Sequence, residues 1–156
     1  MTFSPHLLIR ASAGSGKTHQ LTSRFIGLLT SGEDPAGILA VTFTRRAAGE
    51  IMERVLLRML SATRDPEALK QLQDSLVEAG FGRATSQQIE IALRGLVDQL
   101  HRCGVSTLDA FFARLAIAHT FECGLPPGWT ILEKDQLEAV QAAAIQQILA
   151  DGGQAK

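Results

Sequence analysis

Two rhythms of apolar residues alternate along the chain. Short unbroken apolar runs mark buried strands, and longer stretches with apolar positions every three or four residues mark amphipathic helices. Leu7-Leu8-Ile9 is the first short run and predicts a buried parallel strand. A helix follows Gly16, with Leu21, Phe25, Leu28 and Leu29 on one face. Gly32-Glu33-Asp34-Pro35 reads as a turn. Ile38 to Phe43 is a second apolar run, rich in β-branched and aromatic residues, and predicts a second buried strand. Thr44 then suits the N-cap of a helix carrying Ala48, Ile51, Met52, Val55, Met59 and Leu60 at helical spacing. Gly49 inside that helix costs roughly 1 kcal/mol relative to Ala.

The helical rhythm continues. Asp65-Pro66 is a helix start, with Asp as N-cap and Pro in the first helical position. Leu69, Leu72, Leu76 and Val77 form its stripe and Gly80 its stop. Thr85 and Gln88 have the spacing of a capping box. They precede a helix with Ile89, Ala92, Leu93, Leu96, Val97 and Leu100 on its core face, closed by Gly104. Val105 to Leu108 predicts a third strand, and Asp109 to His119 a helix. Gly124-Leu125-Pro126-Pro127-Gly128 breaks the pattern, Trp129 to Leu132 is extended, and Asp135 caps a last helix with Leu137, Val140, Ala144 and Ile148. The tail from Asp151 reads as frayed. Alternating strands and helices define an α/β chain with a parallel sheet. Three strands are few, since a mean sheet has about five or six.

Composition changes this picture little. The 156 residues fit one domain, and 46% hydrophobic with 20% charged residues is a globular composition. The net charge of −1 excludes a bulk basic field, so any nucleic-acid contact needs a local patch. Cys103 and Cys123 lack metal-site or redox spacing and read as reduced thiols of a reducing compartment. No apolar run has membrane-spanning length and no signal-peptide pattern opens the chain, which together predict a cytoplasmic protein with no membrane partner.

The chemistry concentrates in Ala11-Ser12-Ala13-Gly14-Ser15-Gly16-Lys17-Thr18. This is a phosphate-binding loop of the pattern G-x-x-x-x-G-K-[ST], with Ala11 where Gly usually stands. Gly14 and Gly16 let backbone approach a ligand closely, and consecutive N–H groups form a nest for phosphate oxygens. Lys17 reaches the β- and γ-phosphates of ATP, and the Thr18 hydroxyl completes a Mg²⁺ shell. A strand before the loop and a helix after it provide the arrangement in which a helix dipole helps hold an anion. An incidental Gly/Ser-rich turn would leave those flanks unexplained.

Three segments in register resemble the front end of superfamily 1 DNA helicases of the UvrD/Rep class. They are Ala11 to Thr18, Val41-Thr42-Phe43-Thr44-Arg45-Arg46-Ala47-Ala48, and Val105-Ser106-Thr107-Leu108-Asp109-Ala110-Phe111. Trp129 to Leu132 and Asp135-Gln136-Leu137 resemble the opening of the accessory 1B subdomain. The loop and the Asp109 variant are most similar to the RecB/AddA helicase–nuclease subunits. The resemblance implies a partial P-loop NTPase (RecA-like) fold, with parallel strands flanked by helices and extra helices. Residues 1–120 would be part of subdomain 1A with a helical insertion at about 61–103, and 121–156 the start of 1B. It also implies ATP with Mg²⁺, bound by residues 11–18 and His19, with Lys17 catalytic. It implies single-stranded or duplex DNA at Thr42, Phe43, Thr44, Arg45, Arg46, Thr107 and Phe111.

On their own residue types, Phe43 is equally a buried strand residue and Arg45 and Arg46 equally a solvated helix face. Phe111 and Phe112 suit either base stacking or core packing. His19 stands where relatives often carry Arg, Asp109 where they carry His, and no Gln precedes Ala11 to read adenine. A Walker B Asp-Glu pair and the arginines of a second RecA-like domain are not identifiable. The resemblance therefore implies an N-terminal part of a larger recombination or repair enzyme, with little hydrolysis by itself. It would act with the remaining helicase domains and with partner helicase–nuclease subunits. The competing readings are a small P-loop kinase or NTPase with Asp109 as Walker B residue, and a non-enzymatic nucleotide- or DNA-binding module.

Overall fold

A computed structural model of the chain describes residues 6–10, 16–132 and 134–152. The element order is α1 (Lys17–Thr30), β1 (Leu39–Thr42), α2 (Arg45–Arg64), α3 (Pro66–Glu78), α4 (Ser86–Asp98), β2 (Gly104–Thr107), α5 (Leu108–Ala118) and α6 (Lys134–Gly152), with 3₁₀ turns at Pro35–Gly37 and Leu100–Arg102. The result is mostly helical, with one two-stranded parallel sheet among the described residues. The chain divides into two compact units, Met1–Phe111 and Phe112–Lys156.

In the first unit α2 is the hub, packing on α1, α3, α4 and both strands. The core joins Phe25, Ile26 and Leu29 of α1 to Val55 and Met59 of α2, Leu72 and Leu76 of α3, and Ile89 and Leu96 of α4. Caps set the helix boundaries. Thr44 Oγ1 accepts from the Ala47 N–H at 3.1 Å, and Asp65 Oδ1 accepts from the Glu67 N–H at 3.1 Å. The Thr85–Gln88 capping box forms both of its bonds, at 2.8 and 3.2 Å. α3 ends in a Schellman motif. Gly80 is left-handed (φ +87°), its N–H reaches Val77 O at 3.0 Å, and the Phe81 N–H reaches Leu76 O at 2.9 Å.

Several expectations are corrected. Leu7-Leu8-Ile9 forms no strand, and Leu7 and Leu8 are 54% and 80% exposed. Neither β1 nor β2 pairs with this segment, so it lacks the ladder partner a strand needs. β1 is shorter than Ile38 to Phe43 and one-sided. Ala40 is buried, whereas Leu39 and Val41, which alternate to the other face, are 50% and 43% exposed; α2 packs on both strands. Gly104 does not stop α4, which ends at Asp98; it opens β2 instead. A Cβ there would lie 2.8 Å from Ile38 O, so glycine permits the close strand approach. Leu108 opens α5 rather than ending the strand. Leu60, Val77 and Val97 are exposed, so the true core faces of α2 to α4 are narrower than the apolar pattern, and Leu100, also exposed, falls in the 3₁₀ turn beyond α4. A Cβ added at Gly49 would meet nothing within 4 Å, so no close packing contact calls for glycine there.

The second unit holds most of α5, a turn region and α6. The Trp129 indole N–H donates to Thr120 Oγ1 at 3.1 Å. Lys134 opens α6, so Asp135 falls inside its first turn, and the helix continues through Asp151 and Gly152. Leu137, Val140, Ile145 and Ile148 are exposed, so α6 has no buried face among its described residues. Cys103 and Cys123 are free thiols, and burial pushes the Cys103 thiol up. No helix is long and apolar enough to cross a membrane among the described residues.

Candidate functional site

The first group of candidate residues sits at the start of α1. Gly16 is left-handed (φ +84°), a conformation that favours glycine, and it leads into the helix without a side-chain cap. First-turn N–H groups have no intrahelical carbonyl, and no acidic residue occupies this turn. Lys17 is exposed and Thr18 half-buried. Ala11, Ser12, Ala13, Gly14 and Ser15 lie outside the described residues. His19 turns to α3, with its Nε2 3.1 Å from Ser75 Oγ. Partial burial, then the Arg58 charge, lower its pKa below the ordinary 6.5, against an opposing pull from Glu78.

Behind this turn lies a polar cluster that the residue pattern alone did not reveal. Arg58 of α2 donates from Nη1 to His19 O (3.3 Å), Thr22 Oγ1 (2.7 Å) and Ser23 Oγ (3.0 Å). Thr22 and Ser23 are 0% and 2% exposed, and each hydroxyl donates to His19 O at 2.9 Å. Burial lowers the Arg58 pKa from its ordinary value. A cavity of about 390 Å³ opens beside it, lined also by His19, Ser61, Asp65, Gln71 and Ser75. A signal existed in the sequence. Thr22 and Ser23 fall on the core stripe beside Phe25 and Ile26, and Arg58 lies between the core positions Val55 and Met59. Polar residues at core positions require partners.

The second group gathers at the carboxyl ends of the two strands, where open parallel sheets bind their ligands. Thr42 and Thr107 are paired in the parallel register. Past Thr42, the Phe43 side chain is 87% exposed, which removes the reading of a buried strand residue. Thr44 caps α2, and Arg45 and Arg46 fall in its exposed first turn. Arg46 Nε pairs with Glu50 at 2.9 Å, a surface pair of small energetic weight. Past Thr107 the same device recurs, as Thr107 Oγ1 accepts from the Ala110 N–H at 3.1 Å. Phe111 is half-buried. Asp109 is exposed within the first turn of α5, so it does not take the strand-end position a Walker B carboxylate needs. Candidate DNA residues from two distant segments thus share one edge, while Lys17, Thr18 and His19 form a separate group on α1.

Two parallel strands thus run into threonine-capped helices, and a glycine-led helix carries Lys-Thr in its first turn. The chain matches the UvrD/REP helicase N-terminal domain over residues 1–155 and belongs to that family. Its curated relatives include the ATP-dependent helicase/nuclease subunits of several bacteria. The one from Levilactobacillus brevis is 38% identical over 127 residues, covering 81% of this chain and 9% of that protein. The one from Clostridium perfringens is 31% identical over 149 residues, 94% of this chain and 10% of that protein. That of Moorella thermoacetica is 28% identical over 148 residues, 92% and 9%. The chain spans about a tenth of the length of these curated relatives. No solved structure matches it.

Proposed function

We propose that this chain is the nucleotide-binding front end of an ATP-dependent DNA helicase or helicase–nuclease acting in recombination and repair in the cytoplasm. The convergence of residues 42–46 and 107–111 at the carboxyl edge of adjacent parallel strands carries the reading. Thr42, Phe43, Thr44, Arg45, Arg46, Thr107 and Phe111 form the single-strand face. Arginines and helix N-termini take phosphates, and the exposed Phe43 ring offers a stacking surface to a base. Residues 11–19 hold ATP. The N-terminus of α1, led by Gly16 without a side-chain cap, suits an anion, Lys17 reaches the outer phosphates, and Thr18 contributes its hydroxyl to Mg²⁺. Bound Mg²⁺–ATP supplies the phosphoanhydride bond whose hydrolysis drives such motors.

Residues 1–120 form part of a RecA-like subdomain 1A, with a helical insertion at about 61–103, and residues 121–156 begin subdomain 1B. No residue of this chain is identified that positions the attacking water, so the chain alone hydrolyses ATP barely. The rest of the work falls to other helicase domains. The relatives are named as subunits, which supports a partner chain as well. The placement of Asp109 gives the small-kinase reading no support.

Titration calorimetry of the chain with Mg²⁺–ATP tests the assignment. Lys17→Ala removes a charge-assisted contact of roughly 2–3 kcal/mol and should weaken binding about a hundredfold, with the circular dichroism spectrum unchanged. Unchanged affinity in the variant would overturn the nucleotide reading.

A further inference from the structure

We propose that Arg58 is a positioning residue for the phosphate-binding turn, holding the Lys17–Thr18–His19 segment in register for an incoming polyphosphate. The proposal rests on the nucleotide reading above. Its geometric basis is one carbonyl. His19 O, in the turn just after Lys17 and Thr18, receives the Thr22 and Ser23 hydroxyls at 2.9 Å and the Arg58 guanidinium at 3.3 Å. The same Nη1 donates to both hydroxyl oxygens, at 2.7 and 3.0 Å. Each hydroxyl thus donates to the carbonyl and accepts from the arginine, which suits its one proton and two lone pairs. One guanidinium nitrogen on α2 thereby shares its two hydrogens among three points of the first two turns of α1.

Electrostatics shows why such a grip is not explained by stability alone. No carboxylate among the described residues makes an ion pair with Arg58. Its acceptors are neutral, and two of them belong to nearly fully buried side chains. Arg58 itself is half-buried, and withdrawing even part of a guanidinium from water without an anion carries a cost. The charge also lies near the positive end of the α1 dipole, where cations are disfavoured. An anion at the N-terminus of α1 reverses both penalties. Arg58 would then add to the field that receives phosphate while its bonds keep Lys17 and Thr18 aimed. A purely structural role predicts a different pattern, in which melting temperature and nucleotide affinity fall together.

The test uses the 156-residue chain and its Arg58→Met, Arg58→Lys and Thr22→Val variants. Melting without nucleotide and the Kd for Mg²⁺–ATP are measured for each. Arg58→Met should melt at or above the wild-type temperature yet bind ATP about tenfold more weakly, within the usual range of couplings between neighbouring groups. Arg58→Lys, which keeps the charge but places its donor nitrogen differently, should recover part of that affinity. Thr22→Val should weaken binding in the wild-type background and add little to Arg58→Met, as expected for residues acting in one network. If Arg58→Met matches the wild-type Kd within about twofold, or loses affinity only in proportion to its loss of folding, the positioning role is overturned. A wild-type chain that binds no ATP overturns the nucleotide reading and this role with it. A wild-type chain that binds, with an indifferent Arg58→Met, overturns the role alone.

Discussion

Gly27 and Gly49 lie in helix interiors, and the structure assigns opposite signs to the same substitution at the two sites. Ala is worth about 1 kcal/mol over Gly in a helix interior. At Gly49 a new methyl meets nothing within 4 Å, so Gly49→Ala should realise about 0.5–1 kcal/mol of that gain. At Gly27 the new Cβ would lie 2.4 Å from Phe81 Cδ2 and 2.6 Å from Cε2 and Cγ. The ring cannot swing clear cheaply, because the clash includes its root and the Schellman bonds at the end of α3 pin the Phe81 backbone. Overpacking of this kind costs about 1–3 kcal/mol. Less the propensity gain, Gly27→Ala should lose on the order of 1 kcal/mol and at most about 2 kcal/mol. At about 2–4 °C per kcal/mol for a domain of this size, Tm should fall by several degrees at Gly27 and rise by about 2 °C at Gly49. Thermal melts followed by circular dichroism, with urea titrations for ΔG, measure both. Combining Gly27→Ala with Phe81→Leu should cost less than the sum of the two, since the smaller side chain makes room. Shifts of the same sign at both sites, or a Gly27→Ala chain as stable as wild type, would refute the packing argument.

Two further outcomes follow from the candidate sites. Replacing Arg45 and Arg46 together by Ala should weaken binding to a fluorescent single-stranded oligonucleotide. The plot of log K against log salt should become shallower by about 1.4, at about 0.7 for each phosphate no longer neutralised; an unchanged slope would make both residues mere surface charge. For His19, burial and the Arg58 charge favour the neutral ring in the fold. A base whose folded pKa is depressed contributes stability above its unfolded value of 6.5, and that contribution is lost as pH falls below 6.5 through the folded value. Glu78 opposes the shift, and the ring is largely exposed, so the effect is slight. Melting temperatures between about pH 7.5 and pH 5.5 should therefore fall slightly more for wild type than for His19→Gln, and parallel profiles would contradict the assignment.

Local signals were the legible part of this fold. The caps at Thr44, Asp65 and Thr85 and the stop at Gly80 concern backbone groups within a few residues, and each forms as read. Tertiary completion was not legible. Leu7 to Ile9 carries a strand's composition, but composition does not supply the neighbour that a ladder requires. The second face of β1 and the wide apolar stripes of α2 to α4 likewise presuppose covering elements that these residues do not meet. For the sites, the motif spacing located the candidates at Gly16 to His19, Thr42 to Arg46 and Thr107 to Phe111. The parallel register then brought the last two groups to one edge. Arg58 escaped notice because its meaning lies in two buried hydroxyls that are remote in sequence.

The paired threonine caps have a consequence for the direction of proton donation. In capping, Thr44 and Thr107 use only an oxygen lone pair, taking the N–H of Ala47 and of Ala110. Each hydroxyl keeps its hydrogen, and the capping bond restricts the arc through which that hydrogen can swing. In the proposed single-strand face, this edge therefore presents two steered O–H donors to passing phosphate oxygens. An aspartate would cap either helix about as well yet offer the strand only negative charge. Hydroxyl residues at these two turns serve helix and strand together, so a substitution that spares the fold can still turn a donor edge into a repelling one.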